Sequence, residues 1–221
     1  MLGLWAERSM SAEQPVFREE FAAIPQRAEI RGRPGTPLAT FEIVSSAEAA
    51  DGHALRMTAD RASGALLLPV DGVDLERTPI LRWCWRVTEW PTDADGRTAD
   101  RDDQAIGLYI GSGGRFRRTS LAYRWETRTP IGSTGVVSYA GGLVRVHWIA
   151  LRNRESGSEF RVEERNVAED WRAVTGEAPP KTFALSISCN SQYTRSRAVA
   201  ELDWIEFVSA PADRSPAGAA P

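Results

Sequence analysis

Three acidic residues stand close together near the end of the chain: Glu201, Asp203 and Glu206. Alternate residues of a strand share a face, which places Glu201 with Asp203, and a β-bulge can bring Glu206 to the same side. Carboxyl groups roughly 5 Å apart serve as nucleophile and acid/base in retaining glycoside hydrolysis. The alternative is a solvated acidic strand face, which is common at sheet edges. The position of these residues on the last predicted strand favours that alternative.

A set of aromatic and basic side chains forms a second candidate site. Indole and phenol faces can stack on sugar rings, while arginines and acids supply hydrogen bonds. The candidate ligand-binding residues are Trp83, Trp85, Arg86, Tyr123, Trp125 and Arg165. Period-2 alternation places Trp83 with Trp85 and Tyr123 with Trp125. The apolar neighbours of these rings also allow another interpretation, in which the four aromatics fill the core between two sheets.

An aspartate-rich loop between positions 91 and 103 offers hard oxygen ligands. Asp100, Asp102 and Asp103 are the candidate ligands for Ca²⁺. The spacing is not that of an EF-hand, and Arg97 and Arg101 are interleaved with the acids. An ion-paired loop without metal is therefore the competing interpretation.

Short apolar runs separated by Gly, Pro, Asp and Ser recur along the chain. The predicted strands are 16–21, 38–44, 54–59, 65–70, 80–88, 104–110, 120–125, 135–139, 144–151, 183–189 and 198–208. Many short strands without an alternating helix–strand rhythm are typical of a sandwich. The predicted fold class is therefore all-β, a jelly-roll β-sandwich of two antiparallel sheets with one short helix.

The one predicted helix spans residues 167–174. Asn166 is a candidate N-cap, and Gly176 is a candidate C-terminal stop. Arg165, just before the cap, is placed to pair with an acid such as Glu163 or Asp170. That structural role is an alternative to ligand binding for Arg165.

Basic and acidic residues nearly balance in this chain of 221 residues, with 27 Lys and Arg against 30 Asp and Glu. This balance gives no bulk attraction to nucleic acid, and no run is long enough to span a membrane. A single domain is predicted over residues 14–209, after a flexible N-terminus (1–13) and before a disordered tail (210–221). The charged start does not match a signal peptide. Cys84 and Cys189 lie in apolar runs, which favours buried free thiols over a disulfide.

The order of these motifs resembles the bacterial family DUF3047. The similar segments are residues 81–87 (LRWCWRV), Trp90-Pro91, Asp102-Asp103, 121–125 (LAYRW), 163–171 (EERNVAEDW) and 200–207 (AELDWIEF). The family is a domain of unknown function whose members are often exported, and the resemblance implies a jelly roll like those of carbohydrate-binding modules. The pattern at Glu201, Asp203 and Glu206 is also similar to that of laminarinase-type β-glucanases, which are jelly rolls too.

These observations predict a non-catalytic module that recognises a polysaccharide or oligosaccharide by aromatic stacking and by hydrogen bonds from Arg and Asp. The alternative is a glycan-cleaving enzyme, either a retaining glycoside hydrolase or a polysaccharide lyase, that uses Glu201, Asp203 and Glu206. Fold analogy carries much of both hypotheses.

Overall fold

The computed structural model describes residues 14–114 and 117–210, and these form thirteen strands and one α-helix. The strands are β1 Phe17–Glu19, β2 Glu29–Arg31, β3 Thr40–Ser45, β4 His53–Asp60, β5 Ser63–Leu68, β6 Ile80–Glu89, β7 Ile106–Gly113, β8 Arg118–Trp125, β9 Thr134–Tyr139, β10 Val144–Arg152, β11 Arg161–Asn166, β12 Ala184–Asn190 and β13 Arg197–Val208. The helix α1 spans Val167–Thr175. The predicted N-terminal segment 1–13 and nearly all of the predicted tail lie outside the described residues.

The strands form two sheets that pack face to face, which confirms the predicted sandwich. The six-stranded sheet has the order β11-β6-β13-β4-β3, with β1 also paired to β13, and the seven-stranded sheet has the order β2-β5-β12-β7-β8-β10-β9. Neighbouring strands are antiparallel except for β8 and β10, which run parallel. This parallel pair arises because β10 returns from the edge strand β9 into the space beside β8.

Two strands were missing from the sequence prediction, and both are edge strands. β2 has only three residues, all exposed, and therefore shows no apolar alternation. β11 reads RVEERN and carries four charged residues. Charged edge strands resist pairing with other chains, but the same charges conceal the strand from a search for apolar runs.

The core between the sheets is built around large aromatic rings. Trp83 of β6 stacks on Tyr123 of β8, with ring centroids 5.3 Å apart, and Trp85 meets Trp125 edge to face at 5.6 Å. All four side chains are completely buried. Burial of rings of this size is a major stabilising contribution to a domain of this length.

Helix α1 closes one side of the sandwich and contacts β6, β8, β10 and β11. Val167 and Trp171 insert into the core. The Asn166 side chain accepts a hydrogen bond from the backbone N–H of Glu169 at 3.1 Å, and Gly176 ends the helix with a positive φ of 73°. The predicted helix and both of its end signals are confirmed. No helix among the described residues is long and apolar enough to cross a membrane.

Both cysteines are free and buried, as the sequence favoured. Cys84 lies on β6 and Cys189 on β12, in different sheets. Desolvation raises the pKa of each thiol to about 12. Neither thiol is therefore in its nucleophilic, deprotonated form at neutral pH.

The helix cap provides a test of the fold. We expect Asn166→Ala to lower the free energy of unfolding by about 1 kcal/mol, because the Glu169 N–H loses its acceptor. Asn166→Asp keeps an acceptor and should stay within a few tenths of the unsubstituted protein. Urea titration of all three proteins measures the difference, and equal losses in both variants would contradict the capping role.

The two thiols provide a second test. Native protein should react very slowly with Ellman's reagent at pH 8, and protein unfolded in urea should release two equivalents at once. Rapid reaction of one equivalent in the native state would show that one thiol is accessible and ionised, contrary to its burial.

Candidate functional site

A groove runs over the outer face of the seven-stranded sheet, on the side away from the core. It consists of two adjoining depressions of about 680 Å³ each, which share Tyr109, Tyr139 and Ser188. The first depression is also lined by Arg33, Ser63, Gln104, Ser138, Asn190, Gln192 and Tyr193. Three of the four tyrosines in the chain therefore meet in one depression.

Strand alternation explains how these side chains reach the groove. In β12, Leu185, Ile187 and Cys189 belong to the core. The intervening residues Ser186, Ser188 and Asn190 face the groove. The result is a row of small polar groups that can donate or accept hydrogen bonds along the middle of the sheet.

Glycines make room for the aromatic rings on this face. A Cβ on Gly107 would lie 2.8 Å from the ring of Tyr109, two positions along β7. A Cβ on Gly135 in β9 would lie 2.3 Å from the indole of Trp148 in β10. Both rings can therefore lie close to the backbone only because these two positions carry no side chain.

Asp102 holds the floor of the groove in place from below. Its carboxylate accepts hydrogen bonds from the Tyr139 hydroxyl at 2.9 Å, from Gln104 Nε2 at 2.8 Å and from Arg124 Nη1 at 2.8 Å. Asp102 itself is only 3% exposed. Two groove residues, Tyr139 and Gln104, are thus oriented by one buried carboxylate.

Arg124 is fully buried beneath the same floor. Its guanidinium lies 5.3 Å from the ring centroid of Trp148 and 6.0 Å from that of Tyr109, which is cation–π distance. Nη1 also lies 3.7 Å from the carboxylate of Glu126, which is itself held by the Gly96 N–H and by the hydroxyl of Thr129. The charge of Arg124 is therefore balanced by two buried acids rather than by solvent.

Burial sets the protonation of the groups around this cluster. Desolvation raises the pKa of Tyr139 far above its usual value, and raises the pKa of Tyr109 as well. Both phenols therefore stay protonated at neutral pH, and the hydroxyl of Tyr139 donates its hydrogen to Asp102. Desolvation also raises the pKa of Glu126, against the opposing effect of Arg124.

The structure corrects the predicted aromatic platform. Trp83, Trp85, Tyr123 and Trp125 do share faces as the alternation indicated, but that face is the core, and all four are 0% exposed. None of them presents a ring to the groove. The competing interpretation, in which these rings fill the space between the sheets, is the one that the structure shows.

The two predicted ligand-binding arginines have protein partners of their own. Arg86 lies on the outer face of the six-stranded sheet, pairs with Glu201 and Glu48, and stacks on Phe160. Arg165 pairs with Asp170 at the start of α1. Both are therefore separated from the groove and have structural roles.

The three acids of β13 share a face with the help of a bulge, as predicted. The register slips between Leu202 and Trp204, so that Asp203 is the extra residue. This face, however, is the outer side of the six-stranded sheet, and β13 lies inside that sheet rather than at its edge.

Each of these three acids is buried and has a hydrogen-bonding or ion-pairing partner within the protein. Glu201 pairs with Arg56 and Arg86, and Asp203 accepts hydrogen bonds from the Ala50 N–H. Glu206 pairs with Arg18 at 2.7 Å. Neither the catalytic arrangement nor the solvated strand face of the sequence interpretation matches this geometry, because arginines of neighbouring strands cover Glu201 and Glu206, and a backbone amide covers Asp203.

The predicted calcium ligands are also separated. Asp100 is exposed, Asp102 binds Arg124 beneath the groove, and Asp103 accepts hydrogen bonds from Asn190 and from Thr194. No group of three His, Cys, Asp or Glu side chains able to hold a metal ion occurs in the part of the chain that the structure describes. Arg97 and Arg128 form ion pairs with Asp95 and Asp93 of this loop, and hydrogen bonds from Arg97 lower the pKa of Asp95 to about 2.

The sequence alone did not predict that Tyr109, Tyr139 and Tyr193 line a groove. They lie on β7, at the end of β9 and in the loop after β12, and no local motif connects them. One signal was present: Gly107 two positions before Tyr109 in an apolar run indicates a close approach to the backbone.

The site therefore belongs to a jelly-roll β-sandwich with a polar, tyrosine-lined groove on one outer face. The chain belongs to the DUF3047 family, described as a protein of unknown function, whose model matches residues 38–206. The family prediction is thus confirmed. No curated protein matches the sequence.

Solved structures share the fold at low identity. A family 11 carbohydrate-binding module of the cellulosomal cellulase Lic26A-Cel5E of Clostridium thermocellum covers 94% of this chain and 100% of its own, with 10% identity and a TM-score of 0.51. The carbohydrate esterase vb_24B_21 of the Shiga toxin-encoding bacteriophage phi24B covers 90% of this chain and 100% of its own, with 14% identity and a TM-score of 0.51. Identities this low show a common sandwich fold.

The buried cluster beneath the groove provides a third test. We expect Arg124→Met to lower the free energy of unfolding by about 3–5 kcal/mol at pH 7, since Asp102 and Glu126 would be left buried without a counter-charge. A buried carboxylate without a counter-charge binds a proton more tightly in the folded chain than in the unfolded chain, so unfolding of the variant releases protons. The stability that Arg124→Met removes must therefore become smaller as the pH falls.

Chemical denaturation of the Arg124→Met variant between pH 4 and pH 8 measures this dependence. Arg161→Met serves as the control, because Arg161 is an exposed arginine on β11 of the other sheet. A loss for Arg124→Met that stays constant with pH would contradict the charge-balance argument.

Proposed function

We propose that the domain is a non-catalytic glycan-binding module that takes an oligosaccharide in the groove over the seven-stranded sheet. The observation that carries this proposal is the meeting of Tyr109, Tyr139 and Tyr193 with neutral hydroxyl and amide side chains in a single open depression. Sugar rings present apolar faces for stacking and a rim of hydroxyl groups for hydrogen bonds. This groove offers both kinds of contact side by side.

The polar groups of the groove are set for hydrogen bonding rather than for proton transfer. Phenols are protonated at neutral pH, and desolvation raises the pKa of Tyr109 and Tyr139 further, so neither can act as a base there. Asp102, the nearest carboxylate to Tyr139, is occupied by three donors below the floor. This arrangement favours recognition of a ligand over cleavage of it.

The fold lends further support. The family 11 module of Clostridium thermocellum is named for carbohydrate binding, and the phage protein is named as a carbohydrate esterase. A sandwich of this kind therefore accommodates carbohydrate ligands elsewhere. Fold alone is a weak warrant for function, so the proposal stands on the groove.

A glycan array followed by calorimetry on the best hit tests the proposal. Tyr193→Ala should weaken binding roughly tenfold, because loss of one aromatic contact at the centre of an interface typically costs more than about 1 kcal/mol. Tyr193 lies in a loop, and within the described part of the chain its hydroxyl hydrogen-bonds only to the exposed Arg33, so the fold should tolerate the change.

Val162→Ala serves as the matched control, since Val162 is 59% exposed on β11 of the other sheet. Equal affinity of the two variants would place the ligand elsewhere, and the absence of any glycan hit would overturn the proposal. Each hit is also incubated with protein and assayed for new reducing ends and for unsaturated sugars. Products of either kind would replace the module with an enzyme.

A further inference from the structure

Charged side chains are distributed unevenly around the groove. Asp and Glu make up 30 of the 221 residues, yet none of those within residues 14–114 and 117–210 lines either depression. The charged lining residues are Arg31, Arg33 and Arg118. The chain as a whole carries a net charge of -3, so the groove differs in sign from the protein around it.

The three arginines differ in how far their charge is already neutralised. Arg31 pairs with Glu29 on the same strand at 2.5 Å. Arg33 instead donates to the neutral hydroxyl of Tyr193 at 2.6 Å and lies over its ring. Arg118 makes no ion pair within residues 14–114 and 117–210. Arg33 and Arg118 therefore keep an uncompensated positive charge at the groove.

The acids beneath the floor are too deeply buried to contact a ligand in the groove. Asp102 and Glu126 are 3% and 0% exposed, and both are turned toward the buried guanidinium of Arg124. A ligand in the groove would meet neutral phenol, hydroxyl and amide groups below it and guanidinium groups beside it. Guanidinium forks bind planar or tetrahedral oxyanions through paired hydrogen bonds.

We propose that the groove selects an anionic glycan, one whose sugars carry a carboxylate or a sulfate ester, through Arg33 and Arg118. This inference rests on the proposed glycan-binding function and names the class of its ligand. The tyrosines would stack on the sugar ring, while the two arginines, from opposite parts of the sheet, would hold the acidic substituents.

Pairs of polymers that differ only in charge test the inference. Polygalacturonate is compared with highly methyl-esterified pectin, and dextran sulfate with dextran, by calorimetry or by affinity electrophoresis. The charged member of at least one pair should bind about tenfold or more tightly, and the gain should fall as salt is raised. A preference for the charged member of the first pair identifies the acidic substituent as the carboxylate of a uronic acid. A preference in the second pair identifies it as a sulfate ester.

Variants then locate the effect. Arg33→Gln and Arg118→Gln should each remove most of the preference for the charged polymer, while Arg161→Gln on the other sheet should leave it unchanged. Arg161 is the matched control because it is also an exposed strand arginine.

The remaining outcomes separate this inference from the function on which it rests. Equal binding of charged and neutral members, still sensitive to Tyr193→Ala, would overturn the anionic ligand and leave the glycan-binding module intact. Polyglutamate binding as tightly as the charged polymer would overturn the inference, since charge alone and no sugar would then be recognised. No binding to any glycan would overturn both.

Discussion

The ion pair between Arg124 and Asp102 is the interaction on which the groove depends. Both groups lie on the outer side of a sheet and yet are almost fully buried, so each needs the other to remain charged there. Asp102 lies near the end of the aspartate-rich loop, Arg124 lies on β8, and Tyr139 from β9 donates to the same carboxylate. One buried charge pair thus fixes a loop and two strands relative to one another.

This arrangement divides the charges of the site into two layers. Below the floor, charges are paired and shielded, and they act as a rigid support. At the surface, neutral polar groups and tyrosine rings form the floor, with Arg33 and Arg118 beside it. The proposed selection of a ligand by its charge would therefore leave the ion pairs that maintain the fold undisturbed, because the two sets of charges share no side chain.

Alternation along a strand predicted which residues share a face, and the sandwich, the helix and its Asn166 cap followed from local sequence. The same alternation did not reveal which face of the aromatic strands is the core, because β8 and β10 carry apolar residues on both faces, such as Ala122 and Trp148. The groove tyrosines lie on distant segments that only the strand order brings together. The arginine partners of Glu201 likewise come from β4 and β6, so its burial depended on long-range register.

One residue without a side chain shapes the floor of the groove. Gly107 leaves a space that the ring of Tyr109 fills, and a single added methyl group would displace that ring. The shape of the groove can therefore diverge between related chains through a one-carbon change under its floor, while every lining side chain stays the same. If the proposed glycan binding holds, specificities within such a lineage are better compared at this glycine than at the polar residues above it.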